Sequence, residues 1–191
     1  MARRPLRVLL SEVRDCRVCA PDIDPRPVVQ LGAGARIVII GQAPGRKVHE
    51  SGVPWDDVSG RRLRDWLGVD DEVFYDPQRF ALIPMGFCFP GSDGKGDRPP
   101  RPECAPRWHP PLLKHLRRVE LTLLLGQYAQ AHYLQREGTV TDHVAQWRSD
   151  LKKGVLALPH PSPRSRWTRQ NPWFDRNVVP ALRKRVKKAL R

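Results

Sequence analysis

The sequence predicts an α/β fold: three layers, with a central four-stranded parallel sheet flanked by helices, in a single domain over residues 1–191. Three observations lead there. Four short apolar runs, Ile37 to Gly41, Phe80 to Pro84, Leu121 to Leu125 and Val155 to Leu158, show no polar alternation, as expected of strands buried on both faces. Helical patterns separate these runs, and strands alternating with helices form parallel sheets. The first and last runs each open into a proline-stiffened loop, Gly41-Gln42-Ala43-Pro44-Gly45 and Pro159-His160-Pro161-Ser162-Pro163-Arg164-Ser165. In an open parallel sheet, ligands sit at the carboxyl ends of the strands, so these two loops would face one crevice.

The elements follow in order. Leu6, Leu9, Val13 and Cys16 recur at helical spacing and predict an amphipathic helix from Pro5 to about Cys16. Pro21 to Gly34 is rich in proline and glycine and reads as a connecting loop. After the first strand, Arg46 to Gly60 is polar and loop-like. Ser59 is the expected cap of a helix from Gly60 to Leu67, which Gly68 ends. Asp70 is placed to cap a further short turn. Past the second strand, Met85 to Arg107 is a long proline- and glycine-rich excursion, and loops of that length in a compact domain are usually functional or pinned. Leu112, Leu113 and Leu116 mark a helix after Pro111. Gly126-Gln127 opens another after the third strand. Thr139 to Leu151 reads as one helix, with Thr141 or Asp142 near its start. Trp173 to Arg191 is the last, with Phe174, Val178, Val179, Leu182 and Val186 as its apolar stripe.

Composition narrows the partners. The 191 residues suffice for a sizeable core. Lys and Arg number 34 against 20 acidic residues, a net charge of +14, and a surface so basic draws polyanions, nucleic acid first. No apolar run is long enough to span a membrane, and the charged start, Met1 to Arg7, lacks the apolar stretch of a signal peptide. The expectation is a cytoplasmic, nucleoid-associated monomer.

Four cysteines stand as Cys16-Arg17-Val18-Cys19 and as Cys88 and Cys104 with fifteen residues between them. A reducing compartment argues against structural disulfides. Two thiols spaced Cys-x-x-Cys can turn onto one metal, and Cys88 and Cys104 bracket most of the long loop. Four thiolates suit zinc or a [4Fe–4S] cluster alike.

With these residues in view, the chain resembles the uracil-DNA glycosylase superfamily, from roughly Cys16 to Arg185. Members carry a Gly-x-x-Pro-Gly or Gly-Gln-Asp-Pro loop early and a His-Pro-Ser loop late. The likeness is closest to the iron–sulfur branch, whose first motif reads Gly-Glu-Ala-Pro-Gly and continues to a Gly, a Pro-Phe pair and another Gly. Gly52, Pro54, Trp55 and Gly60 keep that order, with Trp55 in place of Phe. The resemblance implies a monofunctional enzyme that flips a deaminated base out of DNA and hydrolyses its glycosidic bond. Trp55 would stack on the base and His160 would hydrogen-bond its O2 carbonyl. Gly41, Gln42, Ala43 and Met85 would complete the pocket, while Ser162, Arg164 and Ser165 would hold the DNA. Cys16, Cys19, Cys88 and Cys104 would ligate a [4Fe–4S] cluster, with zinc as the alternative. Three positions depart from the family pattern in a way that affects the chemistry, the first being Trp55, whose larger ring changes the floor of the pocket. Ala43 stands where one branch has a water-positioning Asp, leaving His49, Glu50, Asp56 and Asp57 as replacements. Pro84 stands where the family's uracil-reading Asn falls, so the expected partner is DNA containing uracil or other deaminated bases. A metal-stabilised module that binds nucleic acid without cleaving is the rival reading.

Overall fold

The computed structural model of the chain describes residues 4–94 and 96–191. Met1 to Arg3, part of the charged start, and Lys95, within the long loop, lie outside the described residues. Among the described residues the order is α1 (Leu6–Arg14), β1 (Ile37–Ile40), α2 (Arg46–Ser51), α3 (Val58–Leu67), α4 (Asp71–Phe74), β2 (Phe80–Leu82), α5 (Cys104–Leu113), β3 (Leu121–Leu125), α6 (Gly126–Tyr133), α7 (Val140–Ala145), α8 (Trp147–Lys152), β4 (Val155–Leu158), α9 (Trp167–Gln170), a π-turn (Phe174–Val178) and α10 (Val179–Ala189).

The strands form one sheet in the order β2-β1-β3-β4, all parallel. The fold is α/β with helices on both faces, as the apolar runs predicted. Alternate strand residues feed two cores, because successive side chains point to opposite faces. Ile37, Ile39, Leu121 and Leu123 pack with Leu63 and Trp66 of α3 and Leu182 and Val186 of α10. Val38, Ile40 and Leu124 pack on the other side with Leu9 and Val13 of α1, Trp108 and Leu112 of α5 and Ala129 of α6. The chain runs from β1 out to β2, then returns to place β3 on the other side of β1. The carboxyl ends of β1 and β3 therefore flank a topological switch point, where a crevice opens.

Several elements differ from the sequence reading. Arg46 to Ser51 is a helix rather than loop, ended by Gly52 with φ 73°. Helix α3 begins at Val58, capped by Asp57 and not Ser59, because the Asp57 carboxylate accepts from Gly60 N at 2.7 Å. The helix expected after Pro111 starts at Cys104, inside the predicted excursion, and carries Pro110 and Pro111 within it. An interior proline costs a helix about 3 kcal/mol. Ala105, Trp108, His109 and Leu112 recur at i, i+3, i+4 and i+7 and are all buried. Burial at about 1.5–3 kcal/mol per large side chain offsets much of that cost. The Thr139 to Leu151 helix is two helices meeting at Gln146, with Thr139 and Asp142 forming a capping box. The last helix is preceded by a π-turn. Pro180 has no N–H to return to the turn before it, which accounts for the wider winding there. Its five stripe residues are buried as expected.

Candidate active site

The first loop is built around one aromatic ring. Trp55 has φ 60°, a conformation that costs a bulky residue energy and persists only where the surroundings enforce it. Two glycines make room for it. A Cβ on Gly41 would lie 2.9 Å from Trp55 Cζ2, and a Cβ on Gly60 would lie 1.7 Å from the Trp55 carbonyl oxygen. Arg64, almost wholly buried, supports the same carbonyl at 3.4 Å and is itself held by Asp71 at 2.6 Å and Tyr75 at 3.2 Å. The glycine spacing of the motif is thus the space requirement of a tryptophan laid against the end of β1.

The second loop presents His160 opposite that ring, with centroids 6.0 Å apart and planes tilted by 35°. Ser162 N donates to His160 Nδ1 at 3.2 Å. A backbone amide can only donate, so Nδ1 is the acceptor and the proton of the neutral ring sits on Nε2. Burial lowers the His160 pKa, with Asp57 and Asp97 opposing. The neutral tautomer with a free Nε2–H is therefore the resting form. Two further side chains fix this loop. Gln130, fully buried, donates to Leu124 O and Leu158 O at 3.2 and 2.8 Å, tying the end of β3 to that of β4. Arg62 reaches Ser162 O at 3.3 Å and Thr168 Oγ1 at 2.6 Å. Arg62 and Arg64, two residues apart on α3, therefore hold one loop each.

Between the loops lies a cavity of about 570 Å³, within the range of ligand sites. Gly41, Gln42, Ala43, Trp55, His160, Ser162 and Arg164 all border it. Gln42 also serves the long loop, since its Nε2 donates to Arg98 O at 3.1 Å. Pro84 forms part of the wall. Its carbonyl accepts from His109 Nε2 at 2.9 Å, while His109 Nδ1 lies 2.5 Å from Tyr133 Oη. Burial pushes the His109 pKa down to about 4, so this ring too is neutral.

Other predicted residues sit elsewhere. His49 and Asp56 do not border the cavity. His49 Nε2 is 3.3 Å from an Asp24 carboxylate oxygen, and Asp56 faces Lys47 at 3.9 Å. Met85 N donates to Gly41 O at 2.8 Å, but its side chain is buried in the second core, away from the cavity. Ser165 is also outside the lining, and its hydroxyl accepts from Trp167 N at 3.2 Å. Asp57 borders the cavity while capping α3.

One carboxylate the sequence reading passed over does face the cavity. Asp97 pairs with Ser92 in an isolated antiparallel bridge. Arg98 N returns to Gly91 O at 2.9 Å, closing a small hairpin that the Gln42 side chain tethers. Asp97 Oδ2 lies 3.4 Å from where a Gly45 Cβ would sit. Its outer edge is open to solvent. Partial desolvation against the cavity raises its pKa despite the nearby Arg164, His160 and Arg46. Its only sequence signal was an acidic residue in a glycine-rich excursion, which usually means a solvated turn.

Cys16, Cys19, Cys88 and Cys104 border a second, smaller cavity, with Arg101, Arg107 and Trp108 around them. No disulfide joins them. No three His, Cys, Asp or Glu side chains among the described residues converge closely enough to hold a single metal ion as they stand. The chemistry of the donors nevertheless fits a thiolate-ligated metal group. Burial raises the Cys88 thiol to about 11 and the Cys104 thiol to about 12, so a thiolate there needs a cationic partner. The Phe87 backbone N–H points at Cys104 Sγ at 3.3 Å and that of Arg26 at the Cys88 sulfur, the donors a ligated sulfur accepts.

The family model of the Uracil DNA glycosylase superfamily matches residues 29–183. That span takes in the whole sheet, both cavity loops, Cys88 and Cys104, and leaves Cys16 and Cys19 outside. No helix among the described residues is long and apolar enough to cross a membrane. The parallel sheet, the crevice at its switch point and the extent of this match place the chain in the uracil DNA glycosylase superfamily.

Proposed function

We propose that the protein is a DNA glycosylase that hydrolyses the N-glycosidic bond of uracil and related deaminated bases in DNA, leaving an abasic site. The observation that carries this reading is the pairing across one cavity of a strained, glycine-seated Trp55 and a neutral His160 with its Nε2–H free. A flipped base stacks on the Trp55 ring while the His160 Nε2–H donates to its O2 carbonyl. As the bond between C1′ and the base nitrogen breaks, the electron pair leaves with the base. The donor is therefore worth more in the transition state than in the ground state. Water bonds to C1′ from the far face of the sugar. Asp97 is the carboxylate that orients this water and takes its proton, in place of the Asp missing at Ala43. Its partial desolvation suits a general base. Pro84 has no amide side chain to read uracil, so recognition falls to backbone groups and the ring, which favours acceptance of several deaminated bases.

Cys16, Cys19, Cys88 and Cys104 would hold a [4Fe–4S] cluster, with zinc as the alternative. When bound it supplies a cross-link rather than a reaction step. It would pin the segment from Cys88 to Cys104, which carries Asp97, to the segment after α1.

The test is base release from single- and double-stranded oligonucleotides carrying uracil or other deaminated bases, at enzyme in excess. Release from uracil, sensitive to His160→Ala, supports the proposal. Tight binding without release from any deaminated base would make the protein a damage-recognition module instead.

A further inference from the structure

The face of the molecule opposite the cavity is also strongly basic, and neither the loops nor the cavity accounts for it. Arg36, at the start of β1, reaches Ala189 O at 3.1 Å, and Arg185 reaches Glu120 O, just ahead of β3, at 2.6 Å. The carboxyl end of α10 is therefore docked at the amino ends of the strands. Lys184, Lys187, Lys188 and Arg191 are exposed, at i, i+3, i+4 and i+7 along one side of that segment. With Arg185, Leu151 and Ala181 they border a groove of about 450 Å³ between α8 and α10. Lys152 and Lys153, leading into β4, and Arg117 and Arg118, leading towards β3, are exposed at the same end of the sheet.

These cations are not there to neutralise neighbouring acids. Glu120, Asp150 and Asp76 adjoin the starts of β3, β4 and β2. Each is already paired, with Arg36 and Arg185, with Arg136, and with Arg79 respectively. Favourable interaction with a helix dipole takes a charge or two in the last turn, whereas this end carries eight exposed cations. The strands set the separation from the catalytic mouth: five residues at about 3.3 Å each put the two ends roughly 15 Å apart, before either loop is counted. A straight duplex seated on the cavity cannot also lie on this face.

We infer that the groove between α8 and α10 is a second, sequence-independent site for a nucleic-acid backbone, so that one chain holds two DNA segments at once. The inference draws on the DNA-directed reading of the first face, but its test reads binding alone. Lys184, Lys187 and Lys188 over about 6 Å of helix, with Arg191 just past its end, suit a polyanion whose charges recur every ~1.7 Å along its axis. Among the described residues Leu151 and Ala181 are the only apolar ones that border the groove. The rest of its apolar wall is lysine and arginine stems whose charged heads stay at the rim, an arrangement poor in the aromatic anchors a folded protein partner needs.

The experiment measures stoichiometry and bridging with a 12-base-pair duplex free of damage. Wild-type protein at low salt should bind two duplexes per monomeric chain by sedimentation, and should retain a fluorescent duplex on beads bearing another. Lys184→Glu/Lys187→Glu/Lys188→Glu should bind one duplex and lose bridging, and the salt slope of total binding should fall by about 3. Single-turnover base release from a 12-base-pair duplex carrying one uracil should be unchanged, and circular dichroism checks that the variant is folded. The milder Lys→Gln triple variant should lie between. Arg46→Glu/Arg164→Glu, on the other face, should also lose bridging while keeping one duplex. One duplex per wild-type chain, bridging that persists in the triple variant, or bridging only through protein dimers would overturn the inference. So would displacement from this face by polyglutamate but not by duplex, which would assign it to an acidic protein.

Discussion

At the scale of single residues, His160 separates catalysis from binding. Its Nδ1 is occupied by the Ser162 amide, and burial keeps it neutral. His160→Ala should lower the single-turnover rate by about two orders of magnitude while leaving DNA affinity within a few-fold. The sign of its pKa shift sets the pH profile. With the folded value below the ordinary 6.5, the donor-competent neutral form already predominates at 6.5 and is lost as pH falls through the depressed value. Single-turnover rates under His160 control should therefore not fall as pH rises above 6.5, and should drop only on the acid side of it. A rate that rises with protonation near 6.5 would mean an imidazolium acts instead. Asp97→Asn keeps the shape of the side chain and removes the base. It should cut the rate at least about tenfold without weakening DNA binding, since removing a negative charge beside Arg46 and Arg164 does not discourage phosphate. An unchanged rate would return the water to another group. Asp97 was invisible in the sequence because nothing in a Ser-Asp-Gly-Lys-Gly-Asp run says which carboxylate folds back onto a loop fifty residues earlier.

At the scale of elements, the strands were legible because buried parallel strands leave a contiguous apolar signal, and Ile37 to Ile40 is among the plainest. The two loops were legible because glycine and proline report backbone geometry directly. Helix α5 was not, since Pro106, Pro110 and Pro111 argue locally for a loop, and only the burial of Trp108 and Leu112 overrides them. The split at Gln146 was equally hidden, as both halves share one apolar period. The seating of Trp55 yields a test at this scale. Gly60→Ala puts a methyl group where the Trp55 carbonyl lies, and overpacking of this kind costs about 1–3 kcal/mol. Thermal unfolding should show that loss, and the activity lost should exceed it because the ring is displaced. Gly45→Ala, whose added Cβ meets only Asp97 Oδ2 at 3.4 Å, should be far milder in stability.

At the scale of the whole molecule, the buried histidine behind Pro84 links stability to acidity. His109 has a folded pKa of about 4 against about 6.5 unfolded, so its neutral form is favoured in the native state. The stability it protects is whole above pH 6.5 and falls as pH drops from there towards 4, by up to about 3 kcal/mol. Denaturant midpoints at pH 7 and 5 should diverge in the wild type and converge in His109→Gln, and parallel curves would remove the histidine from the account. Cys88→Ser should destabilise the chain and leave it colourless, if the protein purified without oxygen is brown. Colourless wild-type protein with stoichiometric zinc would replace the cluster by the single ion. The same scale gives a meaning to Arg62 and Arg64 beyond their hydrogen bonds. Because one short helix grips both loops, the two walls of the cavity share a single free energy of opening. Amide protons of Trp55 to Asp57 and of His160, Ser162, Arg164 and Ser165, more than a hundred positions apart in the chain, should then exchange with solvent as one unit. An Arg62→Ala change made beside Ser162 should loosen the tryptophan wall it never touches.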